Sequence, residues 1–252
     1  MRINLKNKHI LITGGSRGIG KAISHALVDC GAKVAIQYHQ NINMAKKTAR
    51  ELGPKAILFQ ADLSDAINVS GLFYNVLKKM GHIDVIINNA GLAIGSDPTA
   101  EDMQWANDWL KTMDVNLNAV GLLCKKSIEH FEERGGGIII NMASRAAFRG
   151  DRKEYMAYAA SKGGVVALTK SIARAYGKKN IKAFVVAPGF VQTDMTADFI
   201  NKYGEDHVLK DISLNKMTEP DDVAPLVAFL ASGMADHATG ATFDINAGSY
   251  LH

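Results

Sequence analysis

The sequence is poor in cysteine, with Cys30 and Cys124 as its two members. Their positions match neither a metal-binding spacing nor a disulfide framework, so we expect free thiols, no metal and a reducing compartment. Long apolar runs are also lacking. Residues 1–8 are polar and lead directly into a short apolar strand, which excludes a signal segment or membrane span there. The sequence predicts a cytoplasmic protein that does not act at a membrane.

An excess of charge of one sign is missing as well. The formal net charge is +4, and the basic residues are scattered without a stripe, which excludes nucleic acid as an expected partner. With 47% hydrophobic and 21% charged residues, the composition is globular and not that of a disordered chain. An α/β sheet with helices on both faces commonly reaches this length, so we expect one domain over residues 1–252.

The sequence does contain a glycine-rich turn near its start. An apolar strand at 9–13 leads into Gly14-Gly15-Ser16-Arg17-Gly18-Ile19-Gly20, and an amphipathic helix follows to about Asp29. A helix N-terminus offers free N–H groups and a positive dipole end to a phosphate. A plain glycine turn is the alternative. The position between strand and helix favours a site for the pyrophosphate of a dinucleotide.

The second predicted strand, residues 33–38, ends where dinucleotide folds often place an acid to hold the ribose hydroxyls. Gln37 stands at that place. An acid would repel a 2′-phosphate, so its absence, with Arg17 in the turn and His39 beyond the strand, favours NADP(H). Alternatively, Arg17 is a solvated turn residue that contacts no cofactor. NAD(H) is therefore the second candidate cofactor.

The rest of the chain alternates strands and helices. Further strands are predicted at 56–60, 83–87, 138–142, 181–186 and 242–245, and helices at about 43–52, 112–133, 155–176 and 221–230, with Asp65 capping another. This alternation predicts an α/β fold with a Rossmann-type, doubly wound parallel sheet. Asn88-Asn89-Ala90-Gly91 follow the fourth strand, and we expect them to form a clamp at the carboxyl edge, where such sheets bind ligands.

A tyrosine and a lysine, Tyr158 and Lys162, stand four residues apart in the predicted helix 155–176. Residues i and i+4 share a helix face, so phenol and ammonium point into the same space. A fixed positive charge favours the phenolate, which would lower a phenol pKa that is ordinarily about 10. Tyr158 is therefore the candidate general acid and base. Tyr155 competes for the role, but Ala159 stands four residues after it.

These motifs have the order and approximate spacing of the short-chain dehydrogenase/reductase family, which the chain resembles over nearly its whole length. They are Thr13-Gly14-x-x-x-Gly18-x-Gly20, Asn88-Asn89-Ala90-Gly91, Asn116, Ser144, Tyr158-x-x-x-Lys162 and Pro188-Gly189 through Thr193. The resemblance implies a homotetramer and hydride transfer between a nicotinamide and a carbonyl or alcohol. The implied catalytic residues are Asn116, Ser144, Tyr158 and Lys162. The implied cofactor contacts are Gly14, Ser16, Arg17, Gly18, Ile19, Gly20, Gln37, His39, Asp62, Leu63, Asn89, Ala90, Gly91, Tyr158, Lys162, Pro188, Gly189, Val191 and Thr193.

The roles follow from the chemistry and from the resemblance. In the reducing direction Tyr158 would protonate the carbonyl oxygen while the Ser144 hydroxyl stabilises its developing charge. Lys162 is expected to lower the Tyr158 pKa and, by resemblance, to hold the nicotinamide ribose. Asn116 is expected to position a water that relays protons. The alternatives are a strand-end cap for Ser144 and a partnerless helix-interior residue for Asn116.

The segment 189–215 is expected to cover the substrate. Its side chains suit a partly apolar substrate: Phe190, Met195, Phe199, Ile200 and Tyr203 beside Asp198, Glu205 and Asp206. Trp105 and Trp109 are expected to pack rather than to contact substrate. Thr193 is expected by resemblance to bind the nicotinamide carboxamide, with the start of a mobile segment as the alternative.

Within the family the chain is most similar to 3-oxoacyl-acyl-carrier-protein reductases, which implies an NADP(H)-dependent carbonyl reductase of fatty acid biosynthesis. It departs from them in a charged stretch at 145–154 and a somewhat long loop after Gly91. Arg134 and Lys179 are the basic candidates to meet an acidic carrier protein. Sugar dehydrogenases share the run 158–164 equally well. A sugar or other alcohol dehydrogenase, and a non-catalytic dinucleotide sensor, are the alternatives.

Overall fold

The fold is organised around one parallel sheet. The computed structural model of the protein describes residues 2–196, 200 and 204–251. The strands are β1 His9–Ile12, β2 Lys33–Tyr38, β3 Ala56–Gln60, β4 Val85–Asn88, β5 Gly137–Met142, β6 Ile181–Pro188 and β7 Thr242–Ile245. Their order is β3-β2-β1-β4-β5-β6-β7, and every pairing is parallel. The order reverses between β1 and β4, which opens a crevice at their carboxyl ends. The predicted doubly wound sheet is confirmed.

Helices cover both faces of the sheet. They are α1 Gly18–Asp29, α2 Ile42–Leu52, α3 Ala66–Met80, α4 Asp102–Met113, α5 Ala119–Arg134, α6 Ala146–Arg149, α7 Met156–Tyr176, α8 Glu205–Leu209 and α9 Pro220–Ala231. One apolar core packs α3, α5 and α7 on the sheet through residues such as Leu123 and Val165. A second core packs α1 and α9 on the other face through residues such as Ile23 and Val227. Burial on both faces explains why the strands read as nearly continuous apolar runs.

The predicted start of the helix at 112–133 was wrong. The sequence pattern predicted a helix from residue 112, whereas α4 already begins at Asp102 and continues through a π-helical turn, Asp114–Asn118, into α5. Glu101 starts α4 by accepting a hydrogen bond from the Gln104 backbone N–H at 3.1 Å. The start of α4 resembles a loop in the sequence. Few of its residues are buried, so it shows little apolar periodicity.

Smaller differences concern the edges of elements. Strand β4 begins at Val85 and not at residue 83, and Tyr155 lies in a 3-10 turn before α7. Strand β6 runs on to Pro188, and the segment 189–215 contains the short helix α8. Asp65 caps α3 as predicted, accepting from the Ile67 backbone N–H at 2.8 Å. Three predicted substrate-facing residues, Asp198, Phe199 and Tyr203, lie outside the described residues.

Two features are absent from the described part of the chain. Its helices include none long and apolar enough to cross a membrane. It also holds no group of three or more His, Cys, Asp or Glu side chains arranged for a metal ion. Cys30 and Cys124 are free thiols, as expected.

A buried polar network ties the central strands to α7. The Asn88 amide donates to Asn141 Oδ1 at 2.7 Å, and the Asn141 amide donates to Thr169 Oγ1 at 2.9 Å. Asn141 and Thr169 are fully buried. Because buried polar groups must be paired, these bonds fix α7 against the ends of β4 and β5.

Replacing Thr169 with valine tests this network. The substitution keeps the shape but leaves the Asn141 amide without its acceptor, so the free energy of unfolding should fall by about 1–3 kcal/mol. Urea titration measures it. Ser171→Ala, on an exposed position of the same helix, is the matched control and should change stability by less than about 0.5 kcal/mol. Equal effects of the two substitutions would contradict a structural role for the network.

Candidate active site

The glycine turn between β1 and α1 has the shape that a bound phosphate requires. Gly14 and Gly18 take left-handed backbone conformations, with φ of 63° and 50°. A Cβ on Gly20 would lie 2.1 Å from the Gly14 carbonyl oxygen, so only glycine fits there. Arg17, at the N-cap of α1, makes no side-chain capping hydrogen bond. The first N–H groups of α1 are therefore left for a phosphate, and the turn fits the pyrophosphate of a dinucleotide.

The clamp predicted after β4 is present. The Asn89 amide donates to the carbonyl oxygens of Thr13 and Gly14, at 3.0 and 3.2 Å. In return the backbone N–H groups of Asn89 and Ala90 both donate to Thr13 Oγ1 at 3.0 Å. These bonds hold the glycine turn against the end of β4. Thr13 begins the glycine motif, but no role was predicted for its hydroxyl.

Gln37 does not have the position that the sequence predicted. Its side chain is 2% exposed, accepts from the Gly14 backbone N–H at 2.8 Å and donates to the Ala61 carbonyl at 2.8 Å. Both ends of the amide are engaged inside the fold, so Gln37 braces the glycine turn and presents no free side chain to a ribose. The prediction failed because a strand places successive side chains on opposite faces.

The side chains that do face solvent beside this turn are Arg17, His39 and Asp62. His39 Nε2 lies 3.4 Å from Asp62 Oδ2, and both side chains are about half exposed. Hydrogen bonds from the Ser64 backbone and hydroxyl lower the pKa of Asp62, with a smaller contribution from His39. Arg17 is exposed and lies 3.4 Å from Asp194. Leu63, also predicted at this edge, is buried.

Tyr158, Ser144 and Lys162 come together at the carboxyl ends of β5 and β6, as predicted. Ser144 is 8% exposed and is hydrogen-bonded to the Tyr158 hydroxyl. The Lys162 Nζ lies 5.7 Å from the Tyr158 ring centroid and donates to the Met142 carbonyl at 2.8 Å. Tyr155, the competing tyrosine, packs under the Arg152 guanidinium instead.

The expected pKa of Tyr158 was wrong in direction. Burial raises the pKa of Tyr158 above its ordinary value, the bond to Ser144 lowers it, and the charge of Asp151 raises it further. The Lys162 ammonium donates its hydrogen bond to the Met142 carbonyl. Burial lowers the pKa of Lys162 itself to about 8. Burial therefore shifts both groups towards their neutral forms, yet with a pKa of about 8 Lys162 is still largely protonated at pH 7.

Asn116 is fully buried and has several partners, which rules out the partnerless alternative. Its side chain donates to the Leu92 carbonyl and accepts from the Leu92 N–H, both at 2.9 Å. It also donates to Ser161 Oγ at 3.1 Å. A Cβ on Gly91 would lie 3.4 Å from both Asn116 Oδ1 and Lys162 Nζ, so the loop after β4 passes directly over these groups. Ser161 was missed, and its place between Tyr158 and Lys162 was the available signal.

The residues predicted after β6 close the other side of the crevice. The Pro188 carbonyl accepts from the Arg145 backbone N–H at 3.0 Å, and Gly189 N–H donates to the Ile245 carbonyl at 2.9 Å. Val191 is buried and forms a bridge with Thr218. The Thr193 methyl lies against Gly18 of the glycine turn, 3.3 Å from where a Cβ would stand. The predicted cofactor contacts from β1, β4 and β6 thus line one crevice.

The two tryptophans lie at the margin of the crevice. Trp105 and Trp109 stack on each other with ring centroids 5.1 Å apart, as packing residues do. Together with Ile94 and Met156 they line a small cleft beside the first turn of α7. The cleft does not include the tyrosine, serine and lysine of the site.

Comparison with known proteins gives the same picture. A family described as Enoyl-(Acyl carrier protein) reductase matches residues 14–250. The 3-oxoacyl-(acyl-carrier-protein) reductase FabG of Staphylococcus aureus is 34% identical over 247 residues, 97% of this chain and 98% of that protein. The 3-oxoacyl-(acyl-carrier-protein) reductase of Synechocystis is 35% identical over 96% of each chain.

Solved structures agree in fold. A short chain dehydrogenase from Burkholderia cenocepacia in complex with NADP is 31% identical with a TM-score of 0.90, over 98% of this chain and 99% of that one. The 3-ketoacyl-(acyl-carrier-protein) reductase of Brucella melitensis, complexed with NADH, is 30% identical with a TM-score of 0.88, over 98% of this chain and 100% of that one. The chain belongs to the short-chain dehydrogenase/reductase family. It is an NAD(P)-dependent oxidoreductase.

The buried lysine gives a stability prediction. A base whose pKa is lowered by folding reduces the free energy of unfolding at every pH below its folded pKa. For Lys162 this reduction becomes smaller as the pH rises from about 8 towards 10.5. Lys162→Met should therefore raise the free energy of unfolding at pH 7 by about 1–3 kcal/mol while abolishing turnover. Denaturant titrations at pH 7 and pH 9.5 measure it.

Lys170→Met, an exposed lysine of the same helix, is the matched control and should leave stability nearly unchanged. The gain from Lys162→Met should be smaller at pH 9.5 than at pH 7. A destabilised Lys162→Met protein at pH 7 would show that burial of the ammonium is not costly here.

Proposed function

We propose that the protein is an NADP(H)-dependent reductase that acts on a 3-oxoacyl thioester. The observation that carries the reductase part is the partly buried Tyr158 hydroxyl hydrogen-bonded to Ser144 with Lys162 across its ring. The substrate class rests on relatives at 34–35% identity over nearly the whole chain that are named 3-oxoacyl-(acyl-carrier-protein) reductases.

In this proposal each residue of the site has a distinct task. The bound nicotinamide supplies the hydride. The Tyr158 hydroxyl donates its proton to the substrate oxygen, and a raised pKa keeps that proton on the phenol until it is needed. The Ser144 hydroxyl donates a hydrogen bond to the same oxygen and stabilises its charge. Lys162 holds a proton nearby and orients the ribose.

Asn116 has a supporting task in this scheme. Its side chain holds both backbone groups of Leu92, so it fixes the loop that passes over Lys162. The π-helical turn that carries it turns this side chain inward from the end of α4. A water held by Asn116 would return protons from solvent to Lys162 and Tyr158.

The preference for NADP(H) rests on charge at the ribose end of the crevice. Arg17 and His39 are exposed beside the glycine turn, and the end of β2, with Gln37, Tyr38 and His39, has no acidic residue. The nearby carboxylate of Asp62 lies 3.4 Å from His39. A 2′-phosphate would pair with Arg17 in place of Asp194. Similar structures are named as complexes with NADP and with NADH, so NAD(H) is the alternative.

A sugar or other polar alcohol is the second candidate substrate. The observation in its favour is the charged stretch after Ser144, where Arg145 and Arg149 stand beside the site. Such polar groups suit a hydroxylated substrate better than an alkyl chain. For a carrier-bound substrate, Arg134 and Lys179 remain the basic candidates, although Lys179 lies 3.9 Å from Glu132. Homotetramer formation and a cytoplasmic location stay predictions.

A cofactor and substrate panel tests the proposal. Purified protein is incubated with NADPH or NADH and a 3-oxoacyl thioester, a diketone or a steroid ketone, and with oxidised cofactors and aldoses, while absorbance at the nicotinamide band is followed. We expect oxidation of NADPH by the thioester to be the fastest reaction. Turnover confined to aldoses would favour the second candidate, and tight cofactor binding without any turnover would favour a dinucleotide sensor.

Tyr158→Phe tests the proton donor separately. The variant keeps the ring that packs under Lys162 but loses the hydroxyl, so turnover should fall by about 10²-fold or more while cofactor affinity changes little. Steady-state rates and cofactor fluorescence titration measure the two effects. Tyr155→Phe, the matched control, should keep most of the activity. A Tyr158→Phe enzyme with a near-normal rate would exclude Tyr158 as the acid.

A further inference from the structure

Three chain segments meet immediately beside Ser144, and a single carboxylate joins them. Asp211 Oδ2, just after α8, lies 2.7 Å from the Arg145 guanidinium and 3.1 Å from that of Arg149. Arg149 also donates to the Ser249 carbonyl in the C-terminal stretch at 3.4 Å. The Arg145 side chain is 14% exposed and that of Asp211 43%, so the contact is only partly open to solvent.

The two arginines are built into the turn that carries Ser144. They stand at the two ends of α6, and the Ala146 backbone N–H donates to Ser144 Oγ at 3.1 Å. The Arg145 backbone N–H donates to the Pro188 carbonyl at the end of β6. Because α6 is one short turn, a shift of either guanidinium would be passed to the Ser144 hydroxyl.

The C-terminal stretch supports the same contact from its other side. The Ser213 backbone N–H donates to the Ala247 carbonyl at 2.7 Å, two residues after Asp211. The Phe148 and Tyr250 rings stack with centroids 6.2 Å apart. The residues after α8 are thus held between the Ser144 turn and the end of the chain.

The charges make Asp211 the centre of this arrangement. Burial lowers the pKa of Arg145, the charge of Arg149 lowers it further, and the carboxylates of Asp211 and Asp151 raise it. Without the Asp211 carboxylate, two guanidinium groups would face each other across one turn with a strong mutual repulsion.

We propose that Asp211 is a positioning residue, whose carboxylate fastens the residues that follow α8 to the turn that carries Ser144. This ion pair sets the position of the residues after α8 beside the Ser144 turn and the direction of the serine hydroxyl. It acts on substrate binding through Arg145 and Arg149 and touches neither the glycine turn nor Lys162. The kinetic part of this inference rests on the proposed function, and the structural part does not.

Hydrogen exchange of the cofactor-bound protein tests the structural part. In Asp211→Asn, amide exchange should speed up by about tenfold in peptides covering 204–216 and 143–150, and stay unchanged over α2. Asp211→Glu, which keeps the charge, should restore most of the protection. Glu129→Gln removes an exposed ion pair with Lys125 on α5 and is the matched control. Unchanged exchange in Asp211→Asn would overturn the proposal.

Steady-state kinetics with whichever panel substrate is turned over tests the functional part. Asp211→Asn should raise KM by about three- to tenfold, as loss of a partly exposed ion-pair network does, with a smaller change in kcat. Cofactor affinity should stay the same, and high salt should raise the wild-type KM towards that of the variant. Faster exchange with an unaltered KM and kcat would reduce Asp211 to a purely structural residue and overturn its positioning role. Absence of turnover in the wild type would count against the proposed function alone, because the exchange result stands without substrate.

Discussion

The charged end of Lys162, buried beside Tyr158 with the Met142 carbonyl as its acceptor, is the constraint on which the site depends. Desolvation pushes this ammonium and the neighbouring phenol towards their neutral forms, which lowers one pKa and raises the other. The buried ammonium lowers the stability of the fold at neutral pH, and a buried lysine at the centre of a crevice is typical of a functional site. The rest of the structure supplies the rigidity that keeps the pair in place.

That rigidity comes from amide side chains around the carboxyl edge of the sheet, each of which forms hydrogen bonds with the backbone of a neighbouring loop. Asn89 holds the glycine turn, Gln37 braces the same turn from β2, and Asn116 holds the loop after β4. Deeper in the sheet, Asn141 joins β4 and β5 to Thr169 of α7. The glycine turn and the loop after β4 are thereby fixed by amides whose hydrogen bonds are made inside the protein, while the N–H groups at the start of α1 stay available for a cofactor phosphate.

Periodicity predicted the alternation of strands and helices, and β2, β3 and β7 have their predicted bounds, because buried parallel strands leave a strong apolar signal. The motifs shared with the family likewise predicted that Ser144, Tyr158 and Lys162 lie together. The errors arose where tertiary contacts decide. The sequence of helix α4 is polar and resembles that of a loop. The Gln37 side chain turns inward because its hydrogen-bond partners stand 23 and 24 residues away in the chain. The pKa of Tyr158 rises because the phenol is buried. The contact of Asp211 with Arg145 spans 66 residues and leaves no local pattern.

The most direct test of this account is an NMR titration of labelled lysine side chains in the cofactor-free protein, with Lys162→Met used to assign the signal of Lys162. We expect a lysine signal with a titration midpoint of about 8 that is missing from the variant. A Lys162 midpoint near the ordinary lysine value of about 10.5 would contradict it. That result would mean that burial does not set the protonation of the site.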